Sequence, residues 1–272
     1  MRTYTSFLFA LFLLIGLHQK TQAQDIVNQI LERGEIRVGM SGDQPPFSMT
    51  ANDGSLFGLD VDMAKGLADN IGVKAKLVKM NFKDLIPSLQ NGEIDMIISG
   101  LTMSIDRNKK VAFIGPYLIS GNTILSKSDK FKDAESVSEV DQPGVKIVVM
   151  QGTTSEEFAK ANITKAILFR SATTKLALQM LLEDKVDVMI GAFPTIALAN
   201  LENPNENLFM RNEPFDYEPI GIAVAPSDPL LINLVGNYMR ALEWTGILDM
   251  LKSKWFEDGS WISGSPIIGT ED

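Results

Sequence analysis

The chain has 272 residues, with 25 Lys+Arg against 34 Asp+Glu for a formal charge of −9, and 45 % of it is apolar. That composition is ordinary globular material, enough for one large domain or two small ones. The acidic balance argues against a nucleic-acid partner, whose phosphates would be repelled, and the absence of cysteine excludes a disulfide framework, a thiol nucleophile and a thiolate metal site.

Arg2 gives the chain a positive start, residues 7–17 are almost wholly apolar, and Thr21 and Ala23 are small on either side of Gln22. This is the pattern of a secretory signal peptide over residues 1–23. An apolar run of about 11 residues is too short for a bilayer core, which needs about 20. No cysteine follows it, so a lipid anchor is excluded, and the expected product is soluble and extracytoplasmic. The single histidine, His18, lies in this segment. The mature chain is therefore expected to offer no imidazole for a Ser-His-Asp triad or a His-ligated zinc site.

Strand-like and helix-like segments then alternate. Glu35–Met40 reads as a strand. Ala64, Leu67, Ala68 and Ile71 fall on one helical face, which predicts a helix over 60–71 stopped by Gly72. Residues 74–80 read as a strand, 82–90 as a helix ended by Asn91-Gly92, and 93–98 as a buried strand. This β-α-β-α-β order predicts a mostly parallel sheet with helices on its faces. A second round follows, with a strand over 117–125, a polar connection over 127–141 and a buried strand over 145–150. Thr154-Ser155-Glu156-Glu157 reads as a capping box that starts a helix. A strand over 166–169, a helix over 172–182 and strands over 186–190 and 221–225 come next. Helices over about 228–243 and 246–255 precede a Gly-, Ser- and Pro-rich tail that is expected to be loose from Asp258.

Ligands of open α/β sheets bind outside the carboxyl ends of the strands. Two such units side by side would face each other with the stretches just after Met40, Met80, Ile98, Met150 and Ile190. After Ile98 come Ser99, Gly100, Thr102, Ser104 and Arg107. These supply hydroxyls, a close backbone approach, the N–H groups of a helix start near Ser104, and a planar guanidinium fork for a carboxylate. A plain helix cap with a surface arginine fits that segment equally well when it is taken alone. After Met150, Gln151-Gly152-Thr153-Thr154 again places glycine and hydroxyls before a helix, and the two edges together favour an anion site. Phe82 and Phe47 either wall the cleft or pack in the core. No nucleotide-binding glycine loop, GxSxG or EF-hand spacing occurs, and Asp60 and Asp62 fit the first turn of a helix better than a metal site. No cofactor or metal is expected.

With these residues in view, the chain resembles the family-3 periplasmic solute-binding proteins, the amino-acid type that serves ABC importers. The matching stretches are PPF (45–47), GLDVDMAKGLADNIG (58–72), LIPSLQNGEIDMIISGLTMSIDR (85–107), GPYLISGNTIL (115–125), QGTT (151–154), VDVMI (186–190) and KWF (254–256). The resemblance implies a two-lobed α/β periplasmic-binding-protein fold (type II), each lobe a central sheet flanked by helices, with the ligand cleft between them. Residues 24–118 and 222–272 would form lobe one and residues 119–221 lobe two. It further implies a periplasmic monomer that hands a small carboxylate-bearing ligand to a membrane permease. Carried over by position, Arg107 resembles the family's carboxylate anchor, Gly100 and Thr102 its partners for amine and carboxylate, Thr154 the lobe-two contact and Phe82 a wall. Ser99 and Gln151 complete the expected ligand-binding set.

Two positions depart from the family pattern. Ala192 stands where the family usually carries an Asp for the ligand's α-ammonium, and Gln44 stands where it usually carries an aromatic. On this reading the ligand needs a carboxylate but not an ammonium, and Asp43, Glu156 and Asp216 are the acids that could replace the missing one. DQPGV (141–145), FAKAN (158–162) and EPFDY (213–217) resemble the cyclohexadienyl (prephenate and arogenate) dehydratases, enzymes on the same scaffold. Those enzymes resemble one another in a carboxylate where this chain has Thr195. A hydroxyl is too weak an acid for that role, so a binding protein is expected rather than an enzyme.

Overall fold

The computed structural model describes residues 25–258. The expected signal segment and the tail after Asp258 lie outside the described residues.

The first helix, α1 (Ile26–Arg33), is capped by the Asp25 carboxylate on the Asn28 N–H and ends at Gly34 in the left-handed conformation. It leads into β1 (Glu35–Met40). Three short strands follow, β2 (Asp43–Gln44), β3 (Ser48–Thr50) and β4 (Leu56–Phe57), which form a small antiparallel sheet. They are too brief to leave a periodicity in the sequence. The helix expected at 60–71 is α2 (Leu59–Asn70), with Val61, Ala64, Leu67 and Ala68 buried. Then come β5 (Lys74–Lys79), a 3₁₀ turn at Phe82–Asp84 continuing into α3 (Leu85–Gln90), β6 (Met96–Ile97), the single turn α4 (Ile105–Asn108) and β7 (Ala112–Ser120).

The second unit holds β8 (Asn122–Ser126), β9 (Lys146–Met150), α5 (Thr154–Asn162), β10 (Ile167–Ser171), α6 (Thr174–Leu182), β11 (Val188–Ala192), α7 (Phe193–Glu202) and β12 (Phe209–Met210). The chain returns through β13 (Glu218–Val224), α8 (Pro229–Trp244) and α9 (Ile247–Lys252), which runs on into a π-helical turn at Ser253–Glu257.

Two five-stranded sheets result, ordered β5-β1-β6-β13-β7 and β10-β9-β11-β8-β12. In each, three strands are parallel (β5, β1, β6 and β10, β9, β11), and the other two run antiparallel to their neighbours. The protein is thus a mixed α/β fold of two lobes, each a sheet with its own apolar clusters. Ile36, Val38 and Met40 on β1 and Ile147, Val148 and Val149 on β9 are fully buried. Each such side chain contributes about 1.5–3 kcal/mol over its exposed state.

Two sequence expectations change here. The strand expected over 117–125 is two strands in different sheets, broken at Gly121. Tyr117, Leu118 and Ile119 before the break and Ile124 and Leu125 after it are apolar or aromatic, so the run reads as one strand. A Cβ at Gly121 would lie 1.9 Å from the Asp216 carbonyl oxygen, so the outgoing chain passes the returning one only where there is no side chain. Helix α7 is not evident in the sequence, because its residues are apolar almost all round and give no amphipathic stripe. Its one local signal is Pro194 in the first turn, where a missing N–H costs nothing.

Gly121→Ala should therefore destabilise the protein by about 1–3 kcal/mol, the range for forcing a methyl group into occupied space. Urea unfolding checks this, and an unchanged midpoint would mean that the two crossing segments are not in obligatory contact.

Candidate functional site

The carboxyl ends of the two sheets face each other and touch. Arg107 lies at their junction. Its helix α4 is set by Ser104, whose hydroxyl accepts from the Arg107 N–H at 3.3 Å. Arg107 is 6 % exposed, and its guanidinium donates to two carbonyls at 3.0 Å, Thr102 O on its own edge and Gly152 O on the opposite one. The Phe82 ring packs beneath it, 5.6 Å from centroid to guanidinium carbon. Burial lowers the Arg107 pKa, and the nearby charges of Glu157 and Glu218 act in the opposite direction. Among the described residues no carboxylate lies within 4.0 Å of this guanidinium, and the rest of its fork has no acceptor. A buried cation in this state lacks the counter-charge that would offset its desolvation.

The opposite edge is built by α5. The sequence places its cap at Thr154, but the structure places it one residue earlier. Thr153 accepts from the Glu156 N–H, and Glu156 reaches back to the Gly152 N–H at 2.8 Å. The shift frees the Thr154 hydroxyl, which donates to Glu218 Oε2 at 2.7 Å. Thr102 donates to the same oxygen at 2.9 Å, so the two threonine hydroxyls stand 3.1 Å apart across the junction. Gly152 lies in the left-handed region, and a Cβ there would meet the Lys83 backbone at 2.9 Å, which makes glycine obligatory at this approach.

Of the seven residues expected to bind ligand, Phe82, Thr102, Arg107 and Thr154 come together at this point. Gly100 stands behind them. Its N–H donates to Asp60 Oδ2 at 2.6 Å, and a Cβ on it would press on Gln44 and on the Phe47 ring. Ser99 turns away, because its hydroxyl accepts from the Ser41 N–H at 2.9 Å and ties β1 to the end of β6. Gln151 joins the second sheet through its N–H to Ser171 O, and its side chain has no hydrogen bond among the described residues.

Other contacts across the junction seal it. The Asp43 carboxylate caps α6 through the Thr174 N–H at 2.6 Å, and Thr195 donates to Pro45 O at 2.8 Å. Two surface cavities of about 400 and 500 Å³, one beside Arg37 and Asp95 and the other along α8, lie away from these residues. Sequence reasoning missed Glu218. It is separated by 116 positions from Thr102 and stands in a strand whose local pattern carries no site signal.

Asp60 is fully buried beneath the first edge, where it accepts from the Tyr117 hydroxyl at 2.8 Å as well as from Gly100. Burial raises its pKa to about 7, against the opposing pull of those two hydrogen bonds. Among the described residues no cluster of acids or histidines forms a metal site, and Asp62 instead accepts from Lys254 and the Trp255 indole.

Residues 36–258 match the family model described as bacterial extracellular solute-binding proteins, family 3. The cyclohexadienyl dehydratase of Pseudomonas aeruginosa is 29 % identical over 87 % of this chain and 88 % of its own length. The L-cystine-binding protein TcyJ of Escherichia coli is 30 % identical over 91 % of this chain and 92 % of its own. Among solved structures, the ancestral amino acid-binding protein AncCDT-1, a precursor of cyclohexadienyl dehydratase, superposes with a TM-score of 0.78 at 35 % identity, covering 85 % of this chain and 99 % of the other.

The position of Asp60 makes stability at this edge pH-dependent. Its folded pKa of about 7 stands above the ordinary carboxylate value of about 4, so the folded state binds the extra proton between the two. The contribution is complete below about pH 4 and is lost as pH rises through about 7. Asp60→Asn lacks it. The stability difference, wild type minus variant, should therefore fall between pH 4 and pH 8 when measured by urea unfolding. A flat difference would contradict the assignment.

Proposed function

The chain belongs to the bacterial extracellular solute-binding proteins of family 3, and from that premise we propose that it captures a small carboxylate-bearing ligand, an amino acid or related organic acid, and delivers it to the permease of an ABC importer. On this reading residues 24–118 with 222–272 form one lobe and residues 119–221 the other. The protein works as a periplasmic monomer without a cofactor.

The supporting observation is Arg107: a buried guanidinium without a carboxylate partner, bonded to one carbonyl from each lobe. A ligand carboxylate on the open part of its fork supplies the missing counter-charge, with Thr102, Thr154 and Phe82 around it, Gly100 behind them and Gln151 on the second edge, while Ser99 supports the first edge through the Ser41 N–H. A ligand held from both sides favours the closed arrangement by its differential affinity for it.

The likeness to cyclohexadienyl dehydratase supports a second reading, a dehydratase on the same scaffold. Two observations favour the binding protein. Thr195, where those enzymes resemble one another in a carboxylate, has its proton on Pro45 O. Burial favours a proton on Glu156, yet Lys160, the Gly152 N–H and Arg170 hold its pKa below the usual range, so it is no proton donor at neutral pH.

A thermal-shift screen against amino acids, keto acids, dicarboxylates and prephenate identifies the ligand class. Ligand at about a hundred times its Kd adds nearly 3 kcal/mol of stability. In calorimetric titration Arg107→Ala should then weaken binding by roughly 30- to several-thousand-fold, the effect of removing one partner from a buried charge pair. Arg107→Lys should weaken it too, because an ammonium lacks the planar fork. Unchanged affinity in the alanine variant would remove Arg107 from the site. Prephenate followed by ultraviolet absorbance should show no turnover above the uncatalysed rate, and turnover abolished by a cleft mutation would establish the enzyme instead.

A further inference from the structure

Glu218 belongs to neither the set of residues read from the sequence nor the family resemblance, yet it occupies the centre of the junction. Its Oε2 accepts from Thr102 of one lobe and Thr154 of the other, and its Oε1 accepts from Asn122 Nδ2 at 3.0 Å. It starts β13, so it sits where the chain returns from the second sheet to the first. Its charge is felt by Arg107, although the two are not an ion pair within 4.0 Å.

Of the other acids at this junction, Glu157 also acts on the charge of Arg107 but is exposed on α5 and has no bond to either threonine, and the remaining three are committed. Asp43 takes the Thr174 and Lys175 N–H groups, Asp216 takes the backbone and side chain of Asn122, and Glu156 is paired with Lys160 and Arg170. Among the described residues Glu218 has only neutral donors.

Resting on the reading of the cleft as an amino-acid or organic-acid site, we propose that Glu218 is the counter-charge for a ligand α-ammonium group and selects amino acids over their 2-hydroxy analogues. An α-ammonium is bonded to the same carbon as the carboxylate. A carboxylate on Arg107 therefore brings the ammonium into the immediate surroundings of that arginine, where Glu218 stands. An ammonium taken out of water without an acid would lose several kcal/mol of hydration. A ligand carrying only a carboxylate has nothing to offset the negative charge of Glu218 and is disfavoured. Thr102 and Thr154 hold the acid in place from both lobes, so the charge is presented only when the lobes meet. Ala192 thus leaves no deficit in the site, because the acid stands on the returning strand instead.

Calorimetry tests this with matched pairs: L-arginine, L-histidine, L-glutamine and L-phenylalanine, each against its 2-hydroxy acid. Wild type should prefer the amino acid of whichever pair binds. Glu218→Gln keeps acceptor and donor groups at the same place and removes the charge. It should weaken the amino acid by about tenfold or more while the 2-hydroxy acid binds as well or better. Glu218→Asp, which keeps the charge, should retain most of the preference. Wild type preferring the 2-hydroxy acid, or an amino-to-hydroxy ratio unchanged in Glu218→Gln, would overturn the assignment. Equal weakening of both members would also overturn it, since that is the signature of a purely structural role. If no pair and no other carboxylate binds wild type, the functional reading falls and takes this inference with it. Binding with an unchanged ratio refutes Glu218 alone.

Discussion

Arg107 bridges the two lobes with a charge that has almost no contact with water. Its two hydrogen bonds go to carbonyls of opposite edges, so the guanidinium is anchored only when those edges meet. Burying a cation in this way costs several kcal/mol unless acceptors and a counter-charge surround it. Much of the neighbourhood can be understood as meeting that demand. Ser104 fixes the turn that carries the arginine, Phe82 places a ring face beneath it, and Gly152 brings a carbonyl from the far lobe within reach. Glu157 and Glu218 add negative potential without forming an ion pair.

The rest of the junction is polar and modest. Asp43 capping α6 and Thr195 on Pro45 O are each one or two hydrogen bonds, with a net worth of about 0.5–1.5 kcal/mol apiece for neutral pairs and somewhat more for the charged one. Leu198 and Met150 add limited apolar contact from the second lobe to clusters of the first. The connections between the lobes are tightly built by comparison. Gly121 passes against the Asp216 carbonyl, and the Asp216 carboxylate holds the backbone and side chain of Asn122.

Similarity to both a binding protein and a dehydratase reflects how little separates them physically. One fold can host either activity, and the chemistry depends on a few side chains added to it. In this chain Thr195 makes a lobe-to-lobe hydrogen bond to Pro45 O.

The sequence by itself determined the elements whose signals are local. Helix α2 follows from its apolar spacing, β1 from a short β-branched run and β9 from a near-continuous apolar one, and the Gly-hydroxyl stretches after Ile98 and Met150 marked the two edges. Arg107, Thr102 and Thr154 were legible because each lies within a few residues of a strand end. Tertiary structure decided the rest. The cap of α5 falls on Thr153 rather than Thr154 because Glu156 can then reach the Gly152 N–H, and that single-residue shift turns Thr154 toward the other lobe. Ser99 is spent on a neighbouring strand, and the apparent strand over 117–125 divides because another segment crosses at Gly121. Glu218 joins Thr154 across 64 positions and Thr102 across 116. Periodicity and capping act over a turn or two of backbone, whereas an acid brought to two hydroxyls by the closure of two lobes leaves no local trace.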